Sequence, residues 1–165
     1  MSICVLSDSH NNKKAISRAV EIIRTLDPDI IIHCGDLCDP AMFDLFDHEL
    51  VACRRLYFVY GNNDYDVSGI DRVCRARGFT TGPYHVLTAG ERRIYACHGH
   101  KGLRDRAIGD GTYDVVFSGH SHVREDIRRN RTRVVNPGAL YRAARYSFVH
   151  YRPESEEIRF IEVPK

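Results

Sequence analysis

Five short stretches of this 165-residue chain carry side chains able to hold a cation or move a proton. They are "DSH" at Asp8–His10, "GD" at Gly35–Asp36, "GNND" at Gly61–Asp64, "HGH" at His98–His100 and "GHSH" at Gly119–His122. Neutral imidazole beside carboxylate suits borderline and hard divalent ions such as Mn²⁺, Fe²⁺, Zn²⁺ or Co²⁺. Seven donors, Asp8, His10, Asp36, Asn62, His98, His120 and His122, are too many for one tetrahedral ion. They suit two ions that share a bridging carboxylate and keep positions open for water and substrate. A lone strand-end histidine is ordinarily satisfied within the fold, and one D-x-H alone carries little weight. All five stretches together mean more. With no ion among them, like charges and unpaired polar groups would crowd and destabilise the fold. His33, His48, His85 and His150 lack such neighbours and read as core or surface residues.

The elements that must position these donors can be read from apolar periodicity. "SICVLS" is a short β-prone run. The following "NNKKAISRAVEIIRTL" repeats apolar residues at three- and four-residue spacing, the stripe of an amphipathic helix, with Asn12 as N-cap and Asp27-Pro28 as its stop. "DIIIHCG" is a continuous apolar run of the kind buried on both faces, "PAMFDLFDHEL" is helical with Pro40 in its first turn, and "RLYFVYG" is a further strand. Strand–helix–strand–helix–strand implies parallel pairing through right-handed crossovers.

The second half reads as hairpins turning at Ala89-Gly90, at Asn130-Arg131 and near Pro153–Glu156, with "YDVVFSG" as one more buried strand. A parallel half followed by an antiparallel half gives two sheets face to face with helices outside. On this reading every donor stretch falls at a strand end, where open α/β sheets build their sites. The x-spaced pairs would place both donors on one side of an extended segment.

Composition bounds the remaining possibilities. Hydrophobic residues make up 43% and the formal charge is +2, which argues against a nucleic-acid groove or a membrane surface. An arginine cluster at Arg124, Arg128, Arg129, Arg131 and Arg133 reads as the solvated face of a hairpin, with a phosphate-steering patch as the alternative. No stretch approaches the roughly 20 apolar residues of a membrane span, and the N-terminus lacks a basic leader. Six cysteines without C-x-x-C spacing point to a reduced, cytoplasmic protein; Cys38, two residues past Asp36, is the one to watch, with a bystander role as its ordinary reading. Residues 1–165 read as a single domain.

In their order along the chain, and with "NPG" at Asn136–Gly138 following, the five stretches resemble the calcineurin-like metallophosphoesterase superfamily, in particular its short bacterial and archaeal phosphodiesterase branch. The resemblance implies an α/β fold, a layered α/β/β/α sandwich of two mixed sheets flanked by helices. It implies two divalent metal ions, Mn²⁺ first, with Fe, Zn, Co or Ni as alternatives. One would be held by Asp8, His10, Asp36 and His122, the other by Asp36, Asn62, His98 and His120. The implied activity is hydrolysis of a small phosphodiester, with phosphomonoesters as a secondary class, by a hydroxide bridging the ions.

This chain departs from the superfamily at Asn63, where many members carry a histidine thought to protonate the leaving oxygen. An amide donates a hydrogen bond but transfers no proton. His100 or water is then left as acid, Asn63 and His100 face the substrate, and Asp64 keeps a structural role. Asn11 replaces a usual glycine, and Ala139 a usual serine. Asp39 stands where the purple acid phosphatase branch has a tyrosine ligand, which argues against that branch. Substrate choice falls to the loops Tyr65–Gly69 and Lys101–Gly111. A catalytically weak metal-binding scaffold for protein contacts is the alternative function; a complete ligand set argues against it. The sequence leaves a homo-oligomer open.

Overall fold

The computed structural model describes residues 1–46 and 55–165. The end of the "PAMFDLFDHEL" segment, His48 and Cys53 lie outside the described residues. The chain runs β1 (Ile3–Leu6), α1 (Lys13–Leu26), β2 (Ile30–His33), a 3₁₀ helix (Pro40–Leu45), β3 (Arg55–Val59), α2 (Val67–Ala76), β4 (Thr80–Gly82), β5 (Tyr84–Ala89) and β6 (Arg92–Cys97). It continues through α3 (Leu103–Asp110), β7 (Val115–Phe117), β8 (Arg124–Arg129), β9 (Thr132–Pro137), β10 (Tyr146–Arg152) and β11 (Glu157–Val163).

The strands form two mixed sheets, ordered β11-β10-β1-β2-β3-β4 and β5-β6-β7-β9-β8. Ile3, Val5, Ile30, Ile32 and Val59 project from one face of the first sheet against Ile94, Ala96, Val115, Phe117 and Val135 of the second. The opposite face of the first sheet, with Cys4, Leu6, Ile31 and Phe58, lies under Ile16, Ala19 and Ile23 of α1, Phe43 of the 3₁₀ helix and Ile70 of α2. Cys97, Val116 and Val134 of the second sheet pack on Ala107 and Ile108 of α3. The order of layers is therefore helix, sheet, sheet, helix. Alternate residues of β1 and β2 point to different layers, and both layers are covered, so those strands are apolar throughout. Burying a large aliphatic side chain in this way contributes about 1.5–3 kcal/mol.

Local signals hold where they were specific. Asn12 Oδ1 accepts from Ala15 N–H at 3.2 Å and starts α1, and Asp27 ends it in a left-handed conformation (φ 48°). The three hairpins turn where expected. Arg124, Arg128 and Arg133 lie against Glu162, Glu156 and Asp126 at 3.2, 3.2 and 2.7 Å, as a solvated hairpin face would.

Two readings need correction. The second half is not wholly antiparallel: β6, β7 and β9 run parallel, and the last hairpin crosses back to extend the first sheet beside β1. The parallel step from β6 to β7 is carried by α3, which lies in the stretch read as the loop Lys101–Gly111. Its short span is bounded by Gly102 and Gly111, both left-handed, and buries only Ala107 and Ile108, too little to give a helical period. Likewise α2 begins inside the stretch read as the loop Tyr65–Gly69, with Asp66 Oδ1 accepting from Gly69 N–H at 2.9 Å.

The core also holds a histidine. His33 is 1% exposed, with Nδ1 accepting from Gly35 N–H at 3.2 Å and Nε2 2.9 Å from Ser9 Oγ. Burial pushes its pKa down to about 4. The unfolded chain takes up a proton near pH 6.5 that the folded protein refuses until about pH 4. Stability therefore falls as pH drops through that window, by about 3 kcal/mol from this group. Urea unfolding of metal-free protein at pH 7 and pH 4.5 should show that loss, and His33→Asn should lose less between the same two pH values. An equal loss in both proteins would remove His33 as its source.

Candidate metal centre

β1, β2, β3, β6 and β7 end within a few residues of Asp8, Asp36, Asn62, His98 and His120 respectively, so that one rim of the sandwich receives all five stretches. Main-chain hydrogen bonds lace the rim together. Asp8 N–H donates to Gly35 O at 3.0 Å, His10 N–H to Asp36 O at 2.9 Å, and Gly119 N–H to His98 O at 3.0 Å. Asp64 is the knot. Its Oδ2 accepts from Asp36 N–H (2.8 Å) and Gly61 N–H (2.7 Å), and its Oδ1 from Cys38 N–H (2.7 Å). The structural role expected of Asp64 is thus loop anchoring; the helix cap is Asp66.

Five of the seven donors do not lie on extended backbone, contrary to the sequence reading. Asp8, His10, Asn11, Asp36, His120 and His122 all have left-handed φ, between 41° and 71°. Such conformations cost non-glycine residues roughly 1–2 kcal/mol each. They persist because the surrounding hydrogen bonds over-determine them. Tight curling, rather than strand alternation, brings paired donors to one side. Glycine is needed at two contacts: a Cβ on Gly61 would sit 2.1 Å from Asp36 Oδ1, and one on Gly119 would sit 1.8 Å from Ser7 Oγ.

Seen from the carboxylates, Asp36 Oδ2 lies 3.5 Å from His10 Nε2 and 3.4 Å from His98 Nε2, a position between two imidazoles. Asp8 Oδ1 lies 3.3 Å from His122 Nε2, and Asn62 Oδ1 lies 3.0 Å from His98 Nε2. Two compact donor groups result, Asp8 with His10 and His122, and Asp8 with Asp36 and His98, the ligand atoms of each within 4.8 Å of one another. His120 belongs to neither group. Its ring centroid is 5.1 Å from that of His98, and its backbone N–H donates to Asp8 Oδ2 at 2.9 Å.

The far nitrogens explain which face each imidazole offers. His98 Nδ1 donates to Cys34 O at 2.7 Å and His122 Nδ1 to Tyr141 O at 2.9 Å; a carbonyl can only accept, so the proton sits on Nδ1. In the neutral ring Nε2 then turns a lone pair towards the carboxylates, the arrangement of ligand histidines. Protein groups do not fill this space: Asp8 Oδ1 and His10 Nε2 are buried yet make no hydrogen bond among the described residues. Oxygen and imidazole lone pairs aimed at a common point suit a divalent cation, and the residues present fit one.

Electrostatics fits too. With no cation bound, burial alone would raise the Asp36 pKa, but a protonated His98 ring beside it and hydrogen bonds from Asn63 hold it well below the usual carboxylate range. In that state the neighbouring Asp8 carboxylate raises His122, and burial would lower His98 but Asp36 and Asp8 raise it. Burial lowers His10 despite both carboxylates. Cys38 Sγ lies 3.7 Å from His10 Nδ1, and burial with Asp64, Asp36 and Asp8 nearby pushes its thiol up to about 12, so it stays protonated.

Two further residues near the donors are engaged within the protein. Asn63 is spent within the protein: its backbone N–H and Nδ2 donate to Asp36 Oδ1 and Oδ2 at 2.8 and 2.7 Å, and its Oδ1 accepts from Tyr65 Oη at 3.1 Å. Asp39 caps the 3₁₀ helix through Ala41 N–H. His100 stands beside the donors, its ring 5.3 Å from His98 and 6.4 Å from His120, with Nδ1 buried and without a hydrogen-bond partner among the described residues.

Sequence reasoning gave no role to Asn136. Its Nδ2 donates to Gly119 O and Ser121 Oγ, at 2.8 and 3.1 Å, which fixes the "GHSH" loop. Its place in "NPG" was the available signal. Tyr141, whose carbonyl orients His122 and whose ring lies 5.1 Å from His10, had none.

The family model for the calcineurin-like phosphoesterase superfamily domain matches residues 1–154. The chain belongs to that superfamily and is a phosphoric ester hydrolase. It is 28% identical to phosphodiesterase MJ0936 of Methanocaldococcus jannaschii over 141 residues, 84% of this chain and 83% of the relative. The crystal structure described as a novel archaeal phosphodiesterase superposes with a TM-score of 0.90 at 26% identity, covering 99% of this chain and all (100%) of that one. Vps29 of Entamoeba histolytica, solved with zinc, shares the fold at TM-score 0.69 and 16% identity, covering 99% and 98%.

Replacing Asp64 by asparagine sets an NH₂ against main-chain donors. Asp64→Asn should cost about 1–3 kcal/mol in urea unfolding. By loosening Asp36 it should also weaken Mn²⁺ binding about 10–100-fold in calorimetry. Wild-type affinity in the variant would contradict Asp64 as the anchor of Asp36.

Proposed function

We propose that the chain hydrolyses small phosphodiesters, with phosphomonoesters as a secondary class, at a pair of divalent ions, Mn²⁺ first. The reading is supported most by Asp36 Oδ2, which stands between His10 Nε2 and His98 Nε2 at 3.5 and 3.4 Å, where one oxygen can serve two cations. Asp8, His10, Asp36 and His122 would hold one ion, and Asp36, Asn62, His98 and His120 the other. Two cations held there would supply an ionised water near neutral pH and would offset charge on the phosphoryl oxygens. The protein keeps the donors fixed. Asn63 holds both oxygens of Asp36, while Cys34 O and Tyr141 O set the His98 and His122 tautomers. Asn62 adds an oxygen without adding negative charge.

With Asn63 engaged, His100 is the side chain left to protonate the departing oxygen. Burial and the charges of His98, Lys101 and His120 lower its pKa, which makes its protonated form a stronger acid. The complete donor set disfavours a scaffold role, since protein docking places no demand on it. No helix of the described residues is long and apolar enough to cross a membrane. We place the enzyme in the cytoplasm, as a single domain over residues 1–165 acting on a small ester rather than on nucleic acid.

Asp36→Asn should reduce Mn²⁺-dependent hydrolysis of bis(p-nitrophenyl) phosphate to background and lower bound metal in plasma emission analysis; surviving turnover would refute the bridging assignment. Across aryl methyl phosphodiesters, rates should fall as phenol pKa rises. His100→Ala should steepen that trend, with losses of roughly 10²-fold for poor leaving groups. A flat dependence in wild type, with chemistry limiting, would contradict a missing general acid at position 63; parallel slopes in both proteins would remove His100 as the acid.

A further inference from the structure

A cavity of about 310 Å³ opens beside the donor cluster, lined by His122, Val123, Arg124, Ala143, Ala144 and Arg145. Its size is at the low end of small-molecule sites. His122 is common to both places: Nε2 faces Asp8 Oδ1 at 3.3 Å while the residue also lines the cavity. The lining is apolar at Val123, Ala143 and Ala144 and cationic at Arg124 and Arg145. Arg124 and Arg145 share a single carboxylate oxygen, Glu162 Oε1, at 3.2 and 2.8 Å, which leaves one positive charge over. Arg124 Nη2 is buried and has no acceptor among the described residues.

The two flanks of the donor cluster are therefore unlike. His98, His100 and His120 crowd one flank, ring to ring at 5.1 to 6.4 Å, where an acid can meet a departing oxygen. Among the described residues the imidazole packed beside His122 is His10, 5.2 Å away and itself one of the donors, and this flank gives onto the cavity. We propose that this cavity is a specificity pocket for the ester group that stays on phosphorus, and that it takes a planar aromatic substituent. Apolar side chains give the ring a surface to pack on, and the guanidinium groups beside them favour both its π-face and the adjacent phosphate charge. Val123, Ala143, Ala144 and Arg145 are then specificity-determining residues. They touch the substituent and none of the bonds that change. The inference rests on the phosphodiesterase reading for its orientation, but the pocket can be tested apart from turnover.

The test is calorimetry of Mn²⁺-loaded protein with diphenyl phosphate and dimethyl phosphate, in wild type, Ala143→Leu and Ala144→Leu. A leucine at either position takes up part of the pocket. Wild type should prefer the diphenyl ester, at least one leucine variant should weaken it about tenfold or more, and dimethyl phosphate should bind all three alike. Kinetics with bis(p-nitrophenyl) and methyl p-nitrophenyl phosphate, which share a leaving group, should show the same selective loss in kcat/KM for the bis-aryl ester. Diphenyl phosphate bound equally by all three proteins, or no tighter than dimethyl phosphate by wild type, would overturn the pocket. Selective binding by a wild-type protein that cleaves neither ester would uphold the pocket and refute the activity.

Discussion

An ionised carboxylate shut away from water has to be matched by positive charge or hydrogen-bond donors, and Asp36, 2% exposed, is matched from several directions. Two donors come from Asn63, Asp64 fixes the residue by accepting its backbone N–H, and two imidazole nitrogens stand 3.4 and 3.5 Å from Oδ2. Those last distances are too long for strong hydrogen bonds and suit groups that face a shared cation. Everything else at this rim serves to keep Asp36, Asp8 and the imidazoles converging despite their mutual cost. The constraint also explains the carboxamide at Asn62, because a further carboxylate there would add negative charge where two acids already meet.

The scaffold meets that cost with backbone. Six of the rim residues adopt left-handed φ, and glycines at 61 and 119 let neighbouring chain segments touch Asp36 and Ser7. Strain of this kind can only persist on a rigid support, and the parallel strands of two packed sheets supply it. Each loop is then tied to another by a main-chain bond: Asp8 to Gly35, His10 to Asp36, His98 to Gly119. Second-sphere groups complete the arrangement, since Cys34 O and Tyr141 O decide which nitrogen of His98 and His122 is left bare.

Most of the fold was legible because its signals are local: the stripe of α1, its Asn12 cap, and three hairpins turning at polar residues. Helices α2 and α3 escaped because they are short and bury few residues, Gly69, Ile70 and Cys74 in one and Ala107 and Ile108 in the other. The return of β10 to the first sheet, beside β1, is a long-range pairing that no local pattern encodes. At the site the residue types and their order pointed to the donors, and the structure draws Asp8, His10, Asp36, Asn62, His98 and His122 together. Backbone handedness was misread, because alternation assumes extended chain and φ above zero is invisible in the letters of aspartate and histidine. The engagement of Asn63 with Asp36 and the service of Asn136 to the "GHSH" loop depend on contacts far apart in sequence, 27 and 17 residues.

We propose that the Asp36 carboxylate serves two cations. Electron paramagnetic resonance of the protein titrated with Mn²⁺, combined with elemental analysis, tests it directly. Two Mn²⁺ per chain with the multiline spectrum of an exchange-coupled pair, lost in Asp36→Asn, is the predicted result. A single ion per chain at saturation, or two ions giving only isolated six-line signals, would contradict it.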